Sequence, residues 1–502
     1  MSIRFLAAPL VLFLALALGS TLTKRPWVDE AWFASPAYDL ASHGRMGTHV
    51  LEPRGSHLSV LNPAASLERI DQHTYWVMPL HLLVLACSFK IAGFSLTVMR
   101  LPAVLWGLAA LLAWYVIVRR LGGSRALGGL AVLLIGVDYA FVNSASDGRM
   151  DMMCASLGYL ALAAYLQFRE TRLTTAVLLS QSLAAMSVFT HPNGVLAAAG
   201  LLVTFFYLDR QRFTWRLVPL AGAPYVICLL GWAAYIARDR AAFLAQFGAN
   251  AGGRAAGLAS PLQTIRLEIA QRYLEAHFFP SDGGLNGKLK LLILLAYIGG
   301  VAFAIAVPDL RRNPGYRLML YLTALRFLMM GFGVSLKNAY YLVDILPFYG
   351  FFLACAIDWL WHGSRTARVA AGVVLCGFLA MQLSWSLYRI FVLQPYRREF
   401  QPAMEYLQAH MTPQDLICGS ADLGFTFGFD NPQIVDDLWV GRWSGKRPTL
   451  FVVDKWYYYQ IVHSFDKKAP EYSAYITDVL AHDFHEVYRQ GDQYQIYRRN
   501  GT

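Results

Sequence analysis

Eleven apolar stretches, each long enough to cross a bilayer or nearly so, run through this chain at about 4–22, 101–118, 126–146, 152–168, 173–190, 194–208, 217–237, 289–307, 318–336, 341–361 and 369–391. No soluble core absorbs that much continuous apolar chain, and only helices or closed barrels satisfy their backbone in lipid. Composition agrees: the 502 residues are 56% hydrophobic and 15% charged, with mean hydropathy +0.40. Soluble domains carry nearer about a quarter charged residues. The chain is therefore expected to be a polytopic α-helical membrane protein of about 11 transmembrane helices.

The connections fix an expected orientation. Arginines gather at 119, 120 and 125, at 169 and 172, at 210, 212 and 216, at 311, 312 and 317, and at 365 and 368. Every second connection is thus basic, which places those loops and the N-terminus in the cytoplasm and the C-terminus outside. This distribution explains the net charge of +11 better than nucleic-acid binding does. The first stretch, with Arg4 before it and Ala17-Leu18-Gly19-Ser20 at its end, also reads as a signal peptide, and cleavage there leaves the side of every loop unchanged. The six cysteines show no CxxC or metal-like spacing.

Three regions are expected outside. Loop 23–100 contains an apolar segment, 75–92, interrupted by Pro79, His81 and Lys90, which reads as a helix lying along the interface. Loop 238–288 opens with the Gly/Ala-rich stretch 248–260, after which Leu262, Ile265, Ile269 and Tyr273 mark the apolar face of an amphipathic helix. The tail, 395–502, has soluble composition. Leu416-Ile417-Cys418 and Leu450-Phe451-Val452-Val453 read as buried strands, and Val487-Tyr488 and Tyr494–Tyr497 as a hairpin around Gly491-Asp492. The expected organisation is a membrane domain, 1–394, and a small periplasmic α/β domain, 395–502.

Polar residues collect where the helices meet the outer side. Asp29 and Glu30 follow the first helix in Pro26-Trp27-Val28-Asp29-Glu30-Ala31-Trp32. Asp147-Gly148-Arg149-Met150-Asp151, His191-Pro192-Asn193-Gly194 and Lys337-Asn338-Ala339-Tyr340-Tyr341 form three later turns on the same side. Each has a plainer reading. Acids favour a helix N-terminus, Arg149 pairs with a neighbouring Asp, His191 caps a turn, and Lys337 snorkels at the interface. Aromatics such as Trp32, Tyr38, Trp76 and Tyr340 stack on sugar rings or simply mark the interface. Convergence on one face raises the functional reading, since ionisable groups near membrane depth are costly and mark substrate paths.

Carboxylates, an arginine, a lysine and a histidine beside lipid suit transfer from a lipid-phosphate sugar. An acceptor hydroxyl loses its proton as it attacks the anomeric carbon, which calls for a carboxylate base. The leaving phosphate already carries charge and needs cations more than an acid. Adjacent side chains point in different directions, so one member of the Asp29-Glu30 pair is expected to be the base, with the other orienting it or contacting the sugar. Glu30, His73, Asp147, Asp151 and His191 show no diagnostic metal spacing, which leaves a divalent metal open.

Several pieces resemble the group of glycosyltransferase families 39 and 83, which includes protein O-mannosyltransferases and lipid A aminoarabinose transferases. They are Asp29-Glu30, the run Ser88–Ser95 followed by Arg100-Leu101-Pro102, Arg119–Gly123, Arg149-Met150-Asp151, and Lys337-Asn338-Ala339-Tyr340-Tyr341 continuing to Leu346-Pro347. The match covers about 5–361. The resemblance implies the C-type membrane glycosyltransferase fold and an inverting enzyme of the bacterial inner membrane. It implies Asp29 as catalytic base, and Arg149 and Lys337 toward the lipid phosphate. Glu30, Asp147, Asp151, His191 and Tyr340 complete the expected substrate-binding set. The implied partners are a polyprenyl-phosphate sugar, a glycan, lipid or protein acceptor, and membrane lipids. Where many members carry Lys-Pro-Pro and Lys-Gly-Pro, this chain has His73–Pro79 and His191–Gly194, so aminoarabinose is not implied. The competing classes are a transporter or flippase, which calls for inverted repeats that the sequence lacks, and a non-catalytic partner in envelope-glycan assembly.

Overall fold

The computed structural model describes residues 4–62, 65–255, 260–278, 284–333, 337–455, 458, 459, 461 and 469–501. The chain divides into two compact units. One comprises residues 1–21, 103–232 and 254–388; the other comprises 22–102, 233–253 and 389–502.

The first unit is helical. Among the described residues, all eleven apolar stretches of the sequence fall mainly on helices. Among the described residues six helices are long and apolar enough to cross a membrane alone, and a bent pair makes a seventh. The bend, 70°, separates Arg125–Val137 from Tyr139–Ala145. Asp138 sits at the break and satisfies the groups that a broken helix frees: its carboxylate accepts from the Phe141 amide at 3.0 Å, the Tyr297 hydroxyl at 2.6 Å and the Gln382 amide at 2.7 Å. Gln382 in turn accepts from the Tyr139 amide at 2.9 Å. Irregular backbone at membrane depth requires such partners. Helices Gly284–Ala306 and Leu346–Trp361 approach closely because Gly300 lacks a side chain; a Cβ there would lie 2.8 Å from the Leu353 amide nitrogen.

The segment after the Leu217–Ile236 helix departs from expectation. Of the stretch 248–260, residues 248–255 complete the helix Arg240–Ala255, and 256–259 lie outside the described residues. The expected amphipathic helix forms as Pro261–Leu267 running into a π-helical stretch, Glu268–Phe278. Its expected apolar face is split: Leu262 and Ile269 are 82% and 46% exposed, whereas Tyr273 is buried and Ile265 half-buried, and Glu268 and Arg272 are fully buried beside them. The buried face thus combines charge pairing with part of the apolar stripe.

The second unit contains a five-stranded sheet of order β2-β1-β3-β5-β4, with β1 Ile417–Cys418, β2 Ile434–Val435, β3 Leu450–Asp454, β4 Phe484–Gln490 and β5 Tyr494–Arg499. β1 pairs in parallel with β2 and β3, and β5 runs antiparallel to β3 and β4. The expected strands and hairpin are therefore present. Segment 50–60 is built into this fold. The Asp436 amide donates to the Val50 carbonyl at 2.6 Å, the Glu52 amide donates to the Asp436 carbonyl at 3.1 Å, and Val60 joins the core around Trp439, Phe451, Tyr458 and Tyr472. The same unit holds the helix Val28–His43, ended by Gly44 in the left-handed region at φ 77°, and the short apolar helix Pro79–Ala92.

Candidate active site

Asp29 and Glu30 occupy the first turn of the helix Val28–His43, where acids complement the helix dipole. Their environments differ sharply. Asp29 is half-buried. Glu30 is fully buried and chelated by Arg100, itself fully buried, with Nε to Oε1 at 2.7 Å and one terminal guanidinium nitrogen to Oε2 at 2.6 Å. Glu30 also accepts from the Trp27 amide at 3.0 Å, closing half of a capping box. Arg100 also donates to the carbonyls of Lys24 and Arg25, at 2.7 and 2.8 Å. One arginine thus ties the chain entering the turn to the turn itself.

In the helical unit the three polar turns converge on the short 3-10 segment Ala339–Asp344. The Arg149 guanidinium pairs with Asp151 at 2.8 Å and lies 4.4 Å over the Tyr340 ring. His191 stacks beside Tyr341 at 5.2 Å and accepts from the Asn193 amide at 3.1 Å, the cap the sequence suggested. The Asn193 side chain donates to Asp344 at 3.3 Å. Asp147 is buried in the same turn as Arg149.

Lys337 is no snorkelling anchor. It is buried, donates to the carbonyls of Met330 and Gly331 at 3.3 and 2.7 Å, and pairs with Glu268 at 3.0 Å. Glu268 also pairs with Arg272 at 2.7 Å, and Arg272 donates to the Asn338 carbonyl at 3.1 Å and faces the Tyr341 ring at 5.5 Å. Burial pushes the Lys337 ammonium down against the pull of Glu268. Beside this cluster, Ile269 and Tyr273 of the same helix open onto an apolar groove of about 370 Å³, lined further by Leu294, Tyr297, Phe327 and Tyr349.

Sequence reasoning named Arg149, Tyr340, His191 and Lys337; the structure sets Arg149 against Tyr340 and His191 beside Tyr341, and links Lys337 to Tyr341 through Glu268 and Arg272. It missed Glu268, Arg272, Arg326, and the clamping role of Arg100. Arg326 is buried in the helix Pro314–Gly333, with its guanidinium 4.7 Å over Phe348 and donating to the Asp344 carbonyl at 3.3 Å. An arginine inside an apolar helix was itself the available signal. No group of three or more His, Cys, Asp or Glu arranged to hold an ion occurs among the described residues.

A family model of dolichyl-phosphate-mannose-protein mannosyltransferases matches residues 73–235. No curated protein sequence matches the chain significantly. Among solved structures, ArnT from Cupriavidus metallidurans bound to undecaprenyl phosphate aligns at TM-score 0.59 and 14% identity, covering 99% of this chain and 98% of that one. The oligosaccharyltransferase of Archaeoglobus fulgidus aligns in its apo form at TM-score 0.55 and 11% identity, covering 100% of this chain and 75% of that one. The same enzyme with an inhibitory peptide and a dolichol-phosphate aligns at 0.51 and 11%, covering 99% and 74%. The resemblance read from the sequence holds: the chain has the C-type glycosyltransferase fold, and the family match indicates a glycosyltransferase.

Proposed function

We propose that the protein transfers a monosaccharide from a polyprenyl-phosphate donor to an acceptor hydroxyl, with inversion, at the periplasmic face of a bacterial inner membrane. The observation that carries this reading is the buried Lys337–Glu268–Arg272 cluster beside an apolar groove, cations for a phosphate next to a channel for a lipid chain. Such a pairing suits an amphiphilic anion better than a soluble nucleotide sugar.

In the proposed reaction Asp29 takes the proton of the acceptor hydroxyl. The acceptor oxygen bonds to the anomeric carbon from the face opposite the phosphate, through an oxocarbenium-like transition state. The bond from the anomeric carbon to the phosphate oxygen breaks, and polyprenyl phosphate departs with the electron pair. The proton on Asp29 then passes to solvent. Arg149 and Lys337 act on the phosphate, whose negative charge grows as the bond breaks, and Tyr340 holds Arg149 in place through its ring. His191, Asp147 and Asp151 complete the polar surroundings of the sugar-phosphate. Glu30 orients the base rather than touching substrate, since Arg100 engages both of its carboxylate oxygens.

The test is transfer in proteoliposomes with a panel of labelled polyprenyl-phosphate sugars. Wild type is expected to transfer from one of them, and Asp29→Asn to lose at least about a hundredfold in turnover, the scale of a positioned general base. Full transfer by Asp29→Asn would remove the base assignment, and failure of wild type with every donor would favour the non-catalytic reading.

A further inference from the structure

We infer that Asp436, in the C-terminal segment, is a positioning residue for the turn that carries Asp29, acting through Trp32. The inference rests on the reading of Asp29 as the base. Trp32 follows Asp29 by three residues on the same helix, so the two side chains lie on neighbouring positions of one face. The Trp32 indole is buried, stacked on His57 at 5.5 Å and edge-on to Trp76 at 5.2 Å, and its Nε1 donates to Asp436 Oδ2 at 3.0 Å. Asp436 is fully buried and fixed in turn. Oδ2 also accepts from the Ala421 amide at 3.1 Å, Oδ1 accepts from the Tyr458 hydroxyl at 2.8 Å, and its backbone bonds to Val50 and Glu52.

The other flank of the turn is held by the same piece of chain. The Tyr458 amide donates to Asp454 Oδ1 at 3.2 Å, and Asp454 Oδ2 accepts from the Arg25 guanidinium at 3.0 Å. The Arg25 carbonyl is one of the acceptors of Arg100, which clamps Glu30. Asp29 therefore lies between Arg25 before it and Trp32 after it, and Asp454 and Asp436 anchor the two. Burial of the Asp436 carboxyl is costly and raises it to about 7. A domain merely tethered to the helix gains nothing from that cost, whereas a carboxyl with a fixed set of donors sets the indole, and hence the turn, at one angle.

The experiment uses the full chain in nanodiscs, as wild type, Asp436→Asn and Trp32→Phe, with Asp492→Asn at the exposed Lys455–Asp492 pair as control. Asp436→Asn leaves the indole N–H and the Ala421 amide with at best a neutral acceptor in place of a carboxylate. Trp32→Phe keeps the aromatic packing and removes only the donor, so it tests the inference if the first variant folds poorly. Hydrogen exchange of the peptide spanning 28–43 is expected to quicken roughly tenfold in both, as for a lost hydrogen bond to a charged acceptor. Turnover is expected to fall at least about tenfold with the donor KM within about twofold, the signature of a displaced base. Asp492→Asn is expected to change neither. Unchanged exchange at 28–43, or faster exchange with unchanged turnover, overturns the inference. Full transfer by Asp29→Asn or inactive wild type instead overturns the base assignment, a result the exchange readout keeps separate.

Discussion

Adjacent acids in one helical turn are here assigned opposite tasks, and stability separates them. Glu30 and Arg100 are both fully inaccessible and share two charge-assisted hydrogen bonds of 2.7 and 2.6 Å. Breaking a buried pair from one side leaves an uncompensated charge and costs about 3–5 kcal/mol. Glu30→Ala should fall in that range. Glu30→Gln keeps one acceptor but turns an NH₂ group toward a guanidinium or the Trp27 amide, and should cost about 2–3 kcal/mol. Asp29 is half-buried in the same turn, and the helix-dipole share of what Asp29→Asn removes is about 0.3–1 kcal/mol, so that change should cost less than Glu30→Gln. For a unit of roughly 200 residues each kcal/mol moves the midpoint by about 2–4 °C. Glu30→Gln should therefore lower Tm by about 4–12 °C, and Asp29→Asn by less. Thermal unfolding in nanodiscs at one fixed scan rate reads the contrast, since unfolding of such a protein is commonly irreversible. Arg100→Met and its double variant with Glu30→Gln complete a cycle with a coupling of about 2–3 kcal/mol. Equal, small shifts for both acids would refute the division, as would loss of turnover in Glu30→Gln without loss of stability.

Three further outcomes are expected. Lys337→Met should weaken binding of polyprenyl phosphate by about tenfold or more, the scale of a lost hydrogen bond to a charged group, measured by titration calorimetry in detergent. Asp138→Ala strands the Tyr297 hydroxyl, the Gln382 amide and the Phe141 amide at the 70° bend, and should cost about 2–4 kcal/mol in thermal unfolding, with Asp138→Asn milder. The Asp436 carboxyl, raised to about 7 by burial, faces Tyr458, Trp32, the Ala421 amide and the neighbouring Asp437 carboxyl. Its folded value lies above its unfolded one, so its contribution is full below about pH 4 and is lost as pH rises through about 7. Asp436→Asn should flatten that limb of the stability–pH curve.

Much of the architecture was legible. Length and hydropathy place a helix at every apolar stretch, and alternation in the tail places its strands and hairpin. The Asp29-Glu30 pair, Arg149-Met150-Asp151 and the Lys337–Tyr341 turn were visible as chemistry out of place beside lipid. Partnership across long separations was not. Arg100 lies 70 residues from Glu30 in sequence, and Asp436 lies 404 from Trp32. Nothing in either local pattern names the other member. The residues alone left the two acids undivided, the resemblance implied Asp29 as the base, and the fold shows that Glu30 is the encased member.

Half of the apolar face expected on the helix Pro261–Leu267 and its continuation to Phe278 turns outward for a more general reason. Periodicity assigns the apolar stripe to the inside because it assumes water outside. Beside a membrane protein that assumption fails: apolar side chains are at home facing lipid, while charges survive only when buried against countercharge. Leu262 and Ile269 accordingly face outward, and Glu268 pairs with both Arg272 and Lys337. The better signal was the Glu-Arg spacing of four on one face, together with Arg326 in the middle of an apolar helix. Each is costly to bury alone, and each becomes affordable only as part of a shared polar site. In a chain of this class the residues that break the apolar pattern, not those that make it, identify where the chemistry is done.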